Sequence, residues 1–130
     1  MIDTTTFTWL SDVGDDDDVQ LGGDGAQVLR IEEVHEEAGE CELGGLIGLV
    51  AIVETTFGHG NRLLVSATFD LDDGDTLVFQ GVAERIHYND RPSFKGRLGL
   101  GGGTGKYKGR RGQAEVDVCN PKRWIISLDP

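Results

Sequence analysis

The segment LRIEEVHEE, residues 29–37, carries the side chains best suited to chemistry in this chain. In an extended conformation Leu29, Ile31, Glu33 and His35 share one face, and Arg30, Glu32 and Val34 share the other. If Leu29 faces a core, the Glu33 carboxyl and the His35 imidazole do too. Apolar surroundings would then raise the carboxyl pKa and give a group fit for general acid or base work. Both residues also fall near a strand end, where a water-exposed rim position would cost little and do no chemistry. His59, His87 and Tyr88 read the same way, as turn and rim residues. Three scattered histidines without recurring spacing offer no metal site.

A second stretch, LGLGGGTGKYKGRRGQAEV, could be mistaken for a phosphate-binding loop. The P-loop pattern needs a glycine where Leu100 stands and a Ser or Thr where Tyr107 stands, and no helical periodicity follows. The dinucleotide pattern fails at Thr104, where its third glycine belongs, and the next segment alternates like a strand. These glycines instead supply the backbone freedom that a sharp strand corner or bulge requires.

The elements that must position these residues are strands. From Gln27 onward apolar residues recur with period two between Gly, Asp, Asn and Pro turns, and no helix is indicated. Strands are predicted at 27–35, 45–56, 62–71, 75–86, 94–100, 112–119 and 122–128, with a possible eighth from the N-terminal segment. Asp72, Asp73 and Gly74 mark a tight hairpin. Seven or eight consecutive antiparallel strands leave a sandwich or a closed barrel, and closure removes exposed edges. The expectation is an all-β domain, a single antiparallel eight-stranded β-barrel with a central hydrophobic pocket. Leu63, Val65, Ala67, Phe69 and Leu71 should point inward, as should Leu77, Phe79, Gly81 and Ala83, then Phe94, Leu98 and Leu100, then Ala114, Val116 and Val118, then Trp124, Ile126 and Leu128. Leu46–Val53 is apolar on both faces, so its outer side calls for a cover: a neighbouring subunit, hence a dimer or trimer, or the N-terminal segment.

Residues 1–26 read differently from the barrel at 27–130. They hold seven acids and no base, including four consecutive aspartates, too much repulsion and too little apolar surface to fold alone. The expectation is a flexible acidic segment. Phe7, Trp9 and Leu10 ahead of the aspartates are then either a loose or edge-paired terminus or a tethered lid over a pocket mouth.

At 130 residues one domain is expected, large enough to bury a core without staples. Cys41 and Cys119 read as ordinary thiols. No leader-like or membrane-spanning run is visible, so the expectation is a cytoplasmic protein without a membrane partner. The formal charge of −11 argues against nucleic acid.

Over residues 27–128 the chain resembles the allene oxide cyclase barrel superfamily, which also contains dirigent-type proteins. Four segments carry the likeness: IEEVHEE, GGLIGLVAIVE, SATFDLDDGDTLVFQG, and LGLGGGTGKYKGRRGQAEV followed by NPKRWIISL. The resemblance implies an eight-stranded, calycin-like barrel whose hydrophobic pocket cyclises a reactive substrate or steers its conformation, with no cofactor. An inward carboxylate and an asparagine that plant members carry on the first strand would match Glu33 and His35, so the asparagine is not kept. A cysteine of those cyclases falls at Val50, which argues against an allene oxide substrate. Small bacterial members include spirotetronate cyclases that close a cyclohexene ring in a linear polyketide by an intramolecular [4+2] reaction.

The expected function is therefore a cofactor-independent Diels-Alder-type cyclase of natural-product biosynthesis, acting on a hydrophobic polyketide ending in a tetronate or tetramate and working largely as an entropy trap. Phe7, Trp9 and Leu10 would form the lid, Phe69, Phe79, Tyr88, Phe94 and Trp124 the walls, and Glu33 and His35 would hydrogen-bond the polar end. The alternatives are a non-catalytic barrel that binds a lipophilic molecule and a dirigent-like guide protein.

Overall fold

A computed structural model describes residues 5–21, 27–57, 61–88, 91–117 and 122–130. Eight strands follow in chain order: β1 (Thr5–Leu21), β2 (Gln27–Gly39), β3 (Glu42–Thr56), β4 (Arg62–Leu71), β5 (Thr76–Tyr88), β6 (Arg91–Gly103), β7 (Gly112–Asp117) and β8 (Lys122–Leu128). Each pairs antiparallel with its sequence neighbours, and β1 pairs with β8, so the sheet closes on itself. A single short 3₁₀ turn, Gly105–Tyr107, links β6 to β7. The expected all-β barrel is the observed one. No helix among the described residues is long and apolar enough to cross a membrane.

The faces of β4, β5, β7 and β8 follow their alternation. Leu63, Val65, Ala67 and Phe69 are fully buried, as are Leu77, Phe79, Ala114, Trp124 and Ile126. The turn between β4 and β5 is the tight one that Asp72-Asp73-Gly74 calls for, with Gly74 at φ 92° and its N–H donating to Leu71 O at 2.9 Å. Gly48 on β3 is required for another reason. A Cβ there would run into the carbonyl oxygen of Asp70 and lie 2.9 Å from Leu71 Cα, so only glycine lets β3 and β4 approach at this row.

Three expectations are corrected. First, of the two readings of the N-terminal segment the eighth strand holds and the flexible tether does not: Thr5–Leu21 is a barrel strand, paired with β8 from Thr5 to Ser11 and with β2 from Trp9 to Leu21, with an irregularity between Val13 and Asp18 in the aspartate run. Second, β2 presents the opposite face. Arg30, Glu32 and Val34 are buried, whereas Ile31 and Glu33 are exposed. Both faces of this strand mix charge with aliphatic side chains, so the decision falls to partners on other strands, which exist only inside. Third, Cys41 is disulfide-bonded and not an ordinary thiol; the other cysteine of the sequence, Cys119, lies outside the described residues.

The β2–β3 hairpin turns over the outside of β1 and β8. Three register irregularities between Val34 and Gly39 bend it. Its Glu37 then accepts hydrogen bonds from Thr8 Oγ1 (2.8 Å), the Cys41 N–H (2.9 Å) and Arg123 Nη2 (3.2 Å). Arg123 Nε also lies 2.9 Å from Glu37 Oε2, an ion-pair distance off the hydrogen-bond direction. The Cys41 amide, with help from Thr8 and Arg123, holds the Glu37 carboxyl below its usual pKa.

Candidate functional site

The barrel interior is layered along its axis. At the end where β4 meets β5 and β6 meets the 3₁₀ turn, a cavity of about 400 Å³ opens. Phe7 and Trp9 of β1, Leu46 and Ile47 of β3, Leu71 of β4 and Tyr107 form its apolar walls, and Glu36, Asp72, Asp73 and Lys106 its edge. Strand alternation brings Phe7 and Trp9 inward together, with ring centroids 5.0 Å apart. Tyr107 arrives from the glycine-flanked turn and is buried, which pushes its phenol pKa up. Lys106 forms an exposed ion pair with Asp73 at 3.1 Å and lies 5.2 Å from the Tyr107 ring centroid. The hydrogen bond to Asp73 raises the Lys106 pKa, while the Asp75 N–H and then Lys106 lower that of Asp73.

Beneath the cavity lies a layer of interlocked rings. Phe69 meets Trp9 at 5.3 Å, Phe79 at 5.8 Å and Trp124 at 5.0 Å, and Trp124 meets Phe94 at 6.0 Å. The last three contacts are edge-on, the arrangement that aromatic quadrupoles favour.

Deeper still, towards the opposite end, the inward side chains are charged. Trp124 Nε1 donates to Ser11 Oγ (2.8 Å), whose hydroxyl donates to Glu32 Oε1 (2.6 Å). The same carboxylate takes Lys122 Nζ at 3.2 and 3.4 Å, and that ammonium sits 4.7 Å from the Phe94 ring centroid. Glu54 of β3 pairs with Arg30 Nε at 2.6 Å. Glu32 is 2% exposed and Glu54 3%, so each charge is tolerated only because an opposite charge and hydrogen bonds replace the lost water.

The residues singled out from sequence are thus dispersed. Phe7 and Trp9 line the cavity, built into the barrel wall and not tethered above it. Leu10, fully buried, alternates with them and pairs with Arg123 and His35. Phe69, Phe79, Phe94 and Trp124 fill the middle of the barrel instead of walling its cavity. The Tyr88 side chain lies outside the described ones. Glu33 is exposed on the outer face, and His35, half-buried, has Nδ1 at 3.0 Å from Gly44 O. Neither lines the cavity. The inward carboxylate of the strand is Glu32, one residue away. Sequence reasoning missed Tyr107, Leu46 and Ile47 as cavity walls; for Tyr107 the signal available was a lone aromatic set between glycines at a strand corner. Among the described residues no cluster of His, Cys, Asp and Glu is placed to hold a metal ion.

No protein-family model matches the chain, and no curated protein matches its sequence. Solved structures match its fold. A pyocyanin demethylase superposes with a TM-score of 0.71 at 15% identity, over 95% of this chain and 99% of that one. Two pterocarpan synthase dirigent proteins superpose at 0.66 and 0.64, with 17% and 16% identity; each covers 99% of this chain, and 85% and 92% of theirs is covered. The dirigent-type likeness therefore holds for the closed eight-stranded barrel; at these identities it is a likeness of fold.

Proposed function

We propose that this barrel takes a hydrophobic small molecule into the end cavity and acts on it as a cofactor-independent cyclase, folding a linear polyketide for an intramolecular [4+2] cycloaddition. One observation carries this reading: a cavity of about 400 Å³ with walls from Phe7, Trp9, Leu71 and Tyr107, and with Asp73 and Lys106 paired at its edge. Its volume lies within the range of small-molecule sites, roughly 300–1,000 Å³. Such a chamber offers shape and one phenol, and among the described residues that line it there is no serine, cysteine or histidine. A cycloaddition asks for no more, since two carbon–carbon bonds form at the expense of π bonds with no atom gained or lost. Tyr107 and Lys106 replace Glu33 and His35 as the groups that would meet the polar end of the substrate, a tetronate or tetramate anion suiting the ammonium. The names of the barrels with the same fold refer to small-molecule chemistry, which agrees with this reading. The Cys41 disulfide favours an oxidising compartment over the cytoplasm expected from the sequence.

The second reading, a binder or dirigent-like guide, is favoured by the filled middle of the barrel: the buried carboxylate Glu32 is already neutralised by Lys122 and separated from the cavity by the ring layer. Incubation with a linear diene–dienophile tetronate separates the two. The cyclase reading expects a product of unchanged mass to form faster with wild type than with Phe7→Ala. Quenching of Trp9 fluorescence by the substrate without any change in its half-life would leave the binder, and no quenching at saturating protein would reject both.

A further inference from the structure

Cations are few in this chain and unevenly placed. The run from Arg91 to Ala114 holds seven of the twelve Lys and Arg residues and no Asp or Glu, and four of the seven fall within KYKGRR, residues 106–111. In a chain of formal charge −11 these four stand at the mouth of the end cavity, because Tyr107 in their midst is one of its walls. The loop is held stiffly. Backbone N–H groups donate from Thr104 to Thr76 O (3.0 Å), from Tyr107 to Thr104 O (3.1 Å), from Lys108 to Gly105 O (3.1 Å), from Arg110 to Tyr107 O (3.1 Å) and from Asp129 to Arg111 O (2.8 Å). Like charges grouped on so fixed a loop repel one another unless anions answer them. The acids at hand answer only part. Lys106 pairs with Asp73, and Arg110 donates through Nε (3.3 Å) and Nη2 (3.0 Å) to the Asp129 carbonyl oxygen, which bears no net charge. Lys108 and Arg111 are exposed, and among the described residues neither has a partner for its charged atoms. By contrast Lys95 and Arg97, the exposed bases of β6, each stand opposite an acid in register, Glu84 and Glu115.

We propose that Lys108 and Arg111, with Arg110 between them in the chain, bind a phosphate group that the guest of the cavity carries on a tail outside it. The proposal rests on the reading of the cavity as the small-molecule site, and not on the reaction that follows there. Its substrate class is a hydrophobic body joined to a phosphorylated tail. Position supports this: Tyr107 is a wall and Lys106 the edge, and the three further cations follow within the next four residues. A cavity of about 400 Å³ is near the small end of ligand sites, so a longer guest leaves its tail outside. The surrounding charge selects a compact anion. Glu36, Asp72 and Asp73 are exposed at the same mouth, so an acidic protein surface or an anionic lipid sheet broad enough to cover the loop would meet them too, whereas a single phosphate need touch only the loop. The cations select phosphate over carboxylate. A phosphate monoester bears about −1.5 to −2 at neutral pH and offers three strong acceptor oxygens to an ammonium and a guanidinium fork, against one charge and two oxygens for a carboxylate.

Isothermal titration calorimetry of the whole chain with decanol, decanoate, decyl phosphate and inorganic phosphate tests this. Wild type should bind decyl phosphate about 30-fold more tightly than decanol, the gain expected of two exposed charge-assisted hydrogen bonds, and more tightly than decanoate. The double variant Lys108→Ala/Arg111→Ala should lose that gain and still bind decanol as wild type does. Lys95→Ala/Arg97→Ala removes the same charge from the outer face of β6 and should keep the gain. Native Trp124 fluorescence shows that each variant is folded. Decyl phosphate bound no more tightly than decanol or decanoate, or an equal loss in both double variants, would overturn the proposal and leave the cavity reading standing; no binding of decanol or decyl phosphate would overturn both. Inorganic phosphate bound as tightly as decyl phosphate would make the loop an anion site independent of the cavity, which also overturns it. So would a wild type that sediments with phosphatidylglycerol vesicles in ~150 mM salt and ceases to after Lys108→Ala/Arg111→Ala, since the loop would then belong to a lipid surface.

Discussion

Replacing Lys122 by methionine tests whether the charged layer is held by specific pairing. Lys122 and Glu32 are 8% and 2% exposed, and their charged atoms stand 3.2 Å apart. At that separation an effective dielectric constant of 20 gives an attraction of about 5 kcal/mol. Lys122→Met forfeits this attraction and the ammonium's contact with the Phe94 ring, but Glu32 keeps the Ser11 hydroxyl at 2.6 Å. The expected cost is therefore about 3–5 kcal/mol, the cost of a buried charge left without its partner. Glu32→Gln alone strands Lys122 and should cost a similar amount. The double variant leaves no charge unpaired and should recover to within about 1–2 kcal/mol of wild type, a coupling of several kcal/mol. Urea unfolding at pH 7, followed by fluorescence and far-UV circular dichroism, measures all three; Trp124 reports directly, because its indole N–H ends the chain through Ser11 to Glu32. If Lys122→Met costs less than about 1 kcal/mol, or if the two single costs simply add, the pair is not what holds this layer together.

Two further outcomes follow from the same reasoning. Glu37→Gln should lower stability at neutral pH by roughly 1–2 kcal/mol, the net worth of charge-assisted hydrogen bonds. Because the folded Glu37 pKa lies below its ordinary 4.5, the native state binds fewer protons there; the gap between wild type and variant should be full above pH ~5 and close as the pH falls through the lowered value, checked by thermal unfolding from pH 3 to 7. Gly48→Ala should cost about 1–3 kcal/mol in urea, since the new methyl meets the Asp70 carbonyl and the Leu71 backbone, neither of which can turn aside; an unchanged midpoint would show that β3 and β4 can separate freely at this row.

What could be read from the sequence depended on whether one strand held its own decision. In β4 the choice between Leu63-Val65-Ala67-Phe69 and Leu64-Ser66-Thr68-Asp70 is local, and the first set is inside. In β2 the choice between Leu29-Ile31-Glu33 and Arg30-Glu32-Val34 is not local. It is made by Glu54, Lys122 and Ser11, which no pattern within β2 can report, and a slip of one residue moves every side chain to the other face. The aspartates at 15–18 misled for a related reason. They repel one another, yet β1 is anchored by β8 from Thr5 to Ser11 before the run and by β2 on both sides of it, and an irregularity between Val13 and Asp18 lets the strand continue past the run. Cys41 gave no warning of its bond, because disulfide partners are set by the fold and not by spacing. The cavity was foreseen in kind and misplaced. Inward aromatics suggested walls, but rings 5–6 Å apart attract one another, and four of them closed the middle.

The layering also decides where a guest can enter. An apolar molecule approaching from the end of Arg30 and Glu54 would have to separate two ion pairs that already lack water, and it could repay neither with a hydrogen bond. From the Tyr107 end it meets rings and aliphatic side chains, and the charges it passes at the edge, Glu36, Asp72, Asp73 and Lys106, are exposed to water, Asp73 and Lys106 as a weakly coupled surface pair. Entry is therefore one-sided, and the ring layer is its floor. On the proposed reading, a reaction in this chamber would rely on shape and on Tyr107 and Lys106, because any use of Glu32 would require Trp124 and Phe69 to part. The β2–β3 hairpin adds Glu36 and Leu46 to the cavity lining while the adjacent Glu37 is fastened to Thr8 and Arg123, so the same contacts that steady the hairpin hold one side of the cavity in place.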